Sequence, residues 1–278
     1  MRKRENSIKT LIEQGRELYE RLRLKTLPLA VKMLENKRDI PHGAVRPKRD
    51  LGYHLAACQA FAMSRREGTL MAMLKEDMWC SEAVIGYGLG EVPQFFFDGY
   101  TRFPQEVETL EAGSTWAHEF PRFAPGKYIG VVSAPLTTVN FVPDVVVIYC
   151  DSAQLKMLNG TIIWKYGRGI NCTINNCGAC VHAVVPTMKS GKCNIALPCG
   201  GDRAYAMCQD NEMIFTAPVS ELKNVVQGLR HLDMYNNRVP IPFVMRPEFP
   251  MRESYIKVGK MLGMEMEKAE VLGGKRYV

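Results

Sequence analysis

At 278 residues the chain can bury about three quarters of its unfolded surface, so it needs no disulfide or metal staple to fold. Hydrophobic residues make up 46% and charged residues 23%, as in ordinary soluble globular proteins. The net charge of +7 is mild and its Lys and Arg residues are scattered, without basic runs interleaved with aromatics; this argues against nucleic acid and suits small anionic ligands better.

Met1-Arg-Lys-Arg-Glu leads into an amphipathic pattern, without the apolar core and small-residue cleavage site of a signal peptide. Helical spacing of Ile8, Leu11, Ile12, Leu18, Tyr19 and Leu22 predicts a helix over Ser7–Leu24. Leu29–Leu34 reads as a strand and Glu35–Asp50 as a polar linker with Pro41 and Pro47. Leu55–Arg66 is a predicted helix with Cys58, Phe61 and Ala62 on one face, and Leu70–Leu74 a short buried strand. Cys80 follows, placed to start a helix whose dipole would favour its thiolate; a buried structural role is an equal reading.

Gly86, Gly88 and Gly90 lack the spacing of a nucleotide-binding loop and read as a helix end and turn. Gln94–Glu111 is predicted helical with a break at Pro104. The clearest strands are Lys127–Val132 and Asp144–Cys150, the second apolar enough to be buried on both faces. Asp151 or Ser152 caps the helix Ala153–Tyr166. Glu212–Ala217 is a strand, Pro218 and Ser220 open a helix to about Leu232, Val239–Pro250 is proline-rich connection and Ser254–Leu262 a last helix. The expected fold is α/β (or α+β): one domain over 1–278, with a mixed central sheet, helices around it, a cysteine-rich loop region, an N-terminal helix over 1–24, a core over 25–235 and a C-terminal extension over 236–278.

Six of the nine cysteines lie between Asn171 and Cys208, in a stretch whose glycines predict loops rather than helices. Cys172-x4-Cys177-x2-Cys180 has the local spacing of the three-cysteine loop of plant-type ferredoxins. Gly160–Gly201 carries Lys165, Arg168, Lys189 and Lys192 without Asp or Glu, and positive charge favours thiolates. No apolar run reaches the ~18 residues of a membrane span. The expected setting is therefore cytoplasmic, where thiols stay reduced and serve better as ligands than as disulfides.

Several blocks resemble the domain of unknown function 169 family: Leu29-Ala-Val-Lys, Cys58-Gln-Ala, Trp79-Cys80-Ser-Glu-Ala, Gly88-Leu-Gly-Glu91, Ala134-Pro-Leu, Pro143-Asp-Val-Val-Val, Gly178-Ala-Cys180, Leu197-Pro-Cys199-Gly-Gly-Asp-Arg203 and Gly228-Leu. The resemblance runs over about 25–235 and rests on the order and spacing of the blocks. It implies no activity, but it places the family's cysteines at Cys58, Cys80, Cys180 and Cys199. Four such ligands suit a four-iron cluster or a closed zinc site, and Cys180 is shared with the ferredoxin-like triplet, which adds Cys177 as a cofactor-binding candidate.

Zinc sites usually come as two close cysteine pairs, and only Cys177-x2-Cys180 has that form, so an iron–sulfur cluster is preferred and zinc is the alternative. The expected function is that of an iron–sulfur protein of anaerobic metabolism. It would act on a small anionic substrate by Lewis-acid or redox chemistry, or pass electrons to a partner protein, with no nucleic acid or membrane involved. The alternative is a non-catalytic accessory protein that binds a small ligand or metal, zinc-loaded or metal-free. Catalytic candidates are His182, two residues after Cys180, and Asp202 and Arg203 after Cys199, with Arg203 as an anion clamp. An Asp202–Arg203 pair and a structural His182 are the plainer readings. The sequence leaves the oligomeric state open, a homo-oligomer included.

Overall fold

The computed structural model describes residues 2–235, 237–239 and 251–265. Helix α1 (Arg2–Leu22) leads into β1 (Leu29–Leu34). Next come α2 (Ala57–Ala62), β2 (Met71–Leu74), α3 (Ser81–Gly86), α4 (Gln94–Phe97) and α5 (Leu110–Glu119). Then follow β3 (Gly130–Pro135), β4 (Val145–Cys150), α6 (Ser152–Tyr166), α7 (Ala179–Ser190), β5 (Asn194–Ala196), α8 (Gly200–Tyr205), β6 (Met213–Pro218), α9 (Leu222–Met234) and α10 (Glu253–Met261). The proline-rich connection expected over 239–250 lies almost wholly outside the described residues.

The strands form one sheet in the order β2-β3-β1-β4-β6-β5. The α/β class with helices around a central sheet is as the sequence suggests, but every pairing is antiparallel, where a mixed sheet was expected. The apolar run of β4 reports burial on both faces, and helices cover both sides of an antiparallel sheet here just as they would a parallel one. Side chains alternate between two cores. Val31, Met73, Val145, Val147 and Ile214 face one with α2, α3 and α7, while Ala30, Leu74, Val146, Ile148 and Phe215 face the other with α1, α6 and α9. Lys127–Tyr128 precedes its strand, so β3 starts three residues later than the apolar pattern indicates.

The main correction concerns the cysteine-rich stretch. It is not all loop: α7 occupies twelve of its residues, with Gly178 (φ 59°) at its N-cap and Gly191 (φ 65°) at its C-cap. These glycines bound the helix instead of breaking it. Pro186 inside α7 cannot donate to the carbonyl of His182, and Asn194 Nδ2 donates to that oxygen instead at 2.8 Å. Val181, Ala183, Val184 and Val185 are wholly buried against the sheet.

Helices α3 and α7 touch where Gly86 meets Val181. A Cβ at residue 86 would stand 2.3 Å from Val181 Cγ1 and 2.9 Å from its Cβ. Gly86→Ala should therefore destabilise the fold by about 1–3 kcal/mol, read as a lowered midpoint in urea unfolding. An unchanged midpoint would contradict this packing.

Candidate functional site

Four cysteines from four separate helices open into one cavity of ≈ 590 Å³. Cys58 is in the first turn of α2, Cys80 is the N-cap of α3, Cys180 is in the first turn of α7 and Cys199 is the N-cap of α8. Each therefore sits where backbone N–H groups are unpaired and the helix dipole is positive. Gly201 lies between two of the sulfurs: a Cβ there would be 3.6 Å from Cys199 Sγ and 3.8 Å from Cys58 Sγ. Its bare backbone keeps both thiols in the open.

Burial dominates the acidity of these thiols. It raises Cys80, and the N–H groups of Ala83 and Glu82 partly offset it. Burial likewise pushes Cys199 up to about 11, against the N–H groups of Ala179 and Asp202. Cys58 and Cys180 are driven further up by burial and by proximity to the other thiols and Asp202. Unassisted, all four are neutral at pH 7, and a positively charged partner is what would make them thiolates. Among the described residues, no three His, Cys, Asp or Glu side chains converge closely enough for one metal ion.

Behind Cys199 runs a buried polar chain. Asp202 is 0% exposed and accepts from Tyr149 Oη at 2.7 Å, Cys199 Sγ at 3.2 Å and the Cys199 N–H at 3.4 Å. The Arg65 guanidinium lies 4.0 Å over the Tyr149 ring and pairs with buried Glu212 at 3.2 Å. Burial raises the Asp202 carboxyl, and its three donors oppose that.

The other wall, Cys177 apart, was not read from the sequence. Glu82, Arg102, Glu106, Asn176 and Cys177 line it, and Trp79 and Tyr205 stand edge to face at the mouth, 5.4 Å apart and each more than half exposed. Arg102 is the lone Lys, Arg or His among the lining residues, and both Glu82 and Glu106 bind its guanidinium. Cys177 Sγ donates to Glu106 Oε2 at 2.9 Å. The only sequence signal for this wall is Glu82 and Trp79 within the Trp79–Ala83 block.

The remaining candidates divide. Cys177 reaches the cavity, whereas Cys172 lies in the preceding loop outside the lining, so the ferredoxin-like triplet is not assembled there. Asp202 does not pair with Arg203, which lies on the surface with Asp210 at 2.8 Å and clamps nothing in the cavity. His182, two residues beyond the cavity-lining Cys180, packs its ring edge-on against Phe120. Burial pushes its imidazole down to about 4 and keeps it neutral, and it lines no part of the cavity. Cys150, Cys193 and Cys208 pack in the two cores.

These features define a cysteine-rich α/β protein with a buried thiol cavity. The chain belongs to the domain of unknown function 169 family, described as Uncharacterised ArCR, whose profile matches residues 17–228. It is 23% identical over 223 residues to an uncharacterised protein of Methanocaldococcus jannaschii, covering 79% of this chain and 93% of that one. No solved structure matches it. No helix among the described residues is long and apolar enough to cross a membrane.

Tyr149→Phe removes one donor from a carboxylate that water cannot reach. It should cost about 1–3 kcal/mol in urea unfolding, and an unchanged stability would mean Asp202 does not depend on that bond.

Proposed function

We propose that this chain is a cytoplasmic iron–sulfur protein of anaerobic metabolism, with Cys58, Cys80, Cys180 and Cys199 as the ligands of a four-iron cluster. One observation carries the reading: four thiols distant in sequence open into a single cavity from four helix N-termini. The donor set is chemically suited to iron–sulfur ligation, and neighbouring N–H groups supply hydrogen bonds of the kind that tune sulfur ligands.

When bound, such a cluster supplies an electron store. The chain's own groups do the rest: Gly201 leaves room beside two sulfurs, Asp202 accepts from the Cys199 backbone N–H, and the Glu82–Arg102–Glu106 wall shapes the remaining space. The cavity volume falls in the range of small-molecule sites, which supports a substrate beside the cluster as well as simple electron transfer. The anionic substrate suggested by net charge has weaker support in the lining, whose lone cation is already shared by two carboxylates.

Protein purified without oxygen should carry about four irons and four acid-labile sulfides per chain, with a broad visible absorption that bleaches on reduction. Serine at Cys58, Cys80, Cys180 or Cys199 should lose most of the iron, while serine at Cys150 or Cys193 should not. A colourless, iron-free wild-type protein would overturn the reading and leave a thiol-rich accessory protein.

A further inference from the structure

The wall opposite the four cysteines has chemistry of its own. Cys177 is 7% exposed and directs its thiol to Glu106, Sγ to Oε2 2.9 Å, with Asn176 Oδ1 a second acceptor at 3.2 Å. Arg102 Nη1 holds Glu106 at 2.7 Å; the same guanidinium pairs with Glu82 and lies 4.1 Å over the Trp116 ring. A nucleophile in reach of a base that a third group orients is the arrangement by which proteins activate a weak nucleophile.

One further observation points to a ligand. Arg102 is 6% exposed, lines the cavity, and its Nε has no hydrogen-bond partner among the described residues, leaving a buried donor that lacks an acceptor. Exposure also runs in a useful order. The Glu106 side chain is 44% exposed, so a proton it takes from the buried thiol can pass on to water. Burial, then the bond to Glu106, pushes the Cys177 thiol up to about 12, and Arg102 acts the other way. Free thiolate is therefore scarce at neutral pH, and a base in contact is what makes the sulfur reactive.

We propose that Cys177 is a nucleophile of this cavity, that Glu106 is its general base, and that the site takes a small uncharged electrophile bearing a carbonyl group. The Sγ–H proton passes to Glu106 Oε2, the sulfur lone pair bonds to the electrophilic carbon, and the leaving group departs with its bonding electrons. No outside oxidant or reductant takes part. The carbonyl oxygen suits the unfilled Arg102 Nε–H. A carboxylate or phosphate would meet Glu82 and Glu106 and no cation free of them. The proposal shares the cavity with the cluster reading and does not depend on it.

Iodoacetamide and iodoacetate form the same kind of bond and differ in charge. Each is reacted with the full chain, as purified without oxygen and after iron removal, and labelling is followed by peptide mass spectrometry with Cys172 as internal reference. Cys177 should label about tenfold faster with iodoacetamide than with iodoacetate, relative to Cys172, in both preparations. Glu106→Gln should slow iodoacetamide labelling about tenfold at neutral pH and move the rise of the pH–rate profile upward; Glu106→Asp should recover part of the rate. The charged groups that face the thiol are Glu106, Arg102 and Glu82, so Glu82→Gln serves as the electrostatic control: losing that charge should move the rise of the profile downward, opposite to the shift expected of Glu106→Gln. If Glu106 acts only through its charge, glutamine speeds the labelling. That result, equal rates for the two reagents, or protection of Cys177 by iron would overturn the proposal. An iron-free protein that labels Cys177 as described would sink the cluster and leave the nucleophile standing.

Discussion

Helix α7 is buried on nearly all sides, and the positions of Cys177, Gly178 and Cys180 in the cavity follow from that constraint. Val181, Ala183, Val184 and Val185 have no surface in water, and the helix lies on the sheet between α2 and α3. Each of the three valines contributes about 1.5–3 kcal/mol when fully buried, so the helix has little freedom to slide. Its first turn carries Cys180, and its N-cap Gly178 fits only because residue 178 has no side chain to meet Phe120, 2.7 Å from where a Cβ would stand. Cys177 immediately before it is fixed by the same geometry.

The two walls of the cavity are built from opposite materials. On one side lie thiols, glycines and helix ends, with a single carboxylate behind them anchored by Tyr149. On the other lies an ion-paired cluster in which one guanidinium is shared by two carboxylates. Breaking a buried pair of this kind is costlier than the pair's own contribution to stability, since the abandoned charge stays in a low-dielectric place. The same holds for Arg65 and Glu212, 1% and 3% exposed, which brace the network behind Cys199. Rigid surroundings are what a site needs if it is to hold reactive sulfur in one geometry.

Five of the six strands were legible because they are short apolar runs bounded by turns, whereas β5, three residues inside the cysteine-rich stretch, was not; the cap at Asp151 was legible because its side chain and that of Gln154 satisfy each other's backbone N–H groups. Helix α7 was not, because glycines at 178 and 191 look the same in sequence whether they end a helix or interrupt one. The cysteine positions at 58, 80, 180 and 199 could be singled out from the family pattern, while local spacing pointed to Cys172, which the fold leaves outside the lining. Arg102 and Glu106 carried no signal, since an isolated charge in sequence does not reveal which charges it will meet. Asp202 and Arg203 show the converse: neighbours in sequence, they point to different environments, one buried on Tyr149 and the other out to Asp210.

Of the four cysteines at helix N-termini, the cavity draws two from before residue 81 and two from after residue 179, with β3, β4 and α6 between. Neither half of the chain holds a complete set. During synthesis the first pair must wait, embedded in an incomplete fold, until the sheet closes around α7 and brings the second pair across. A ligand that needs all four therefore ties the two halves of the chain together, and its binding free energy adds to the stability of the whole fold rather than to either half.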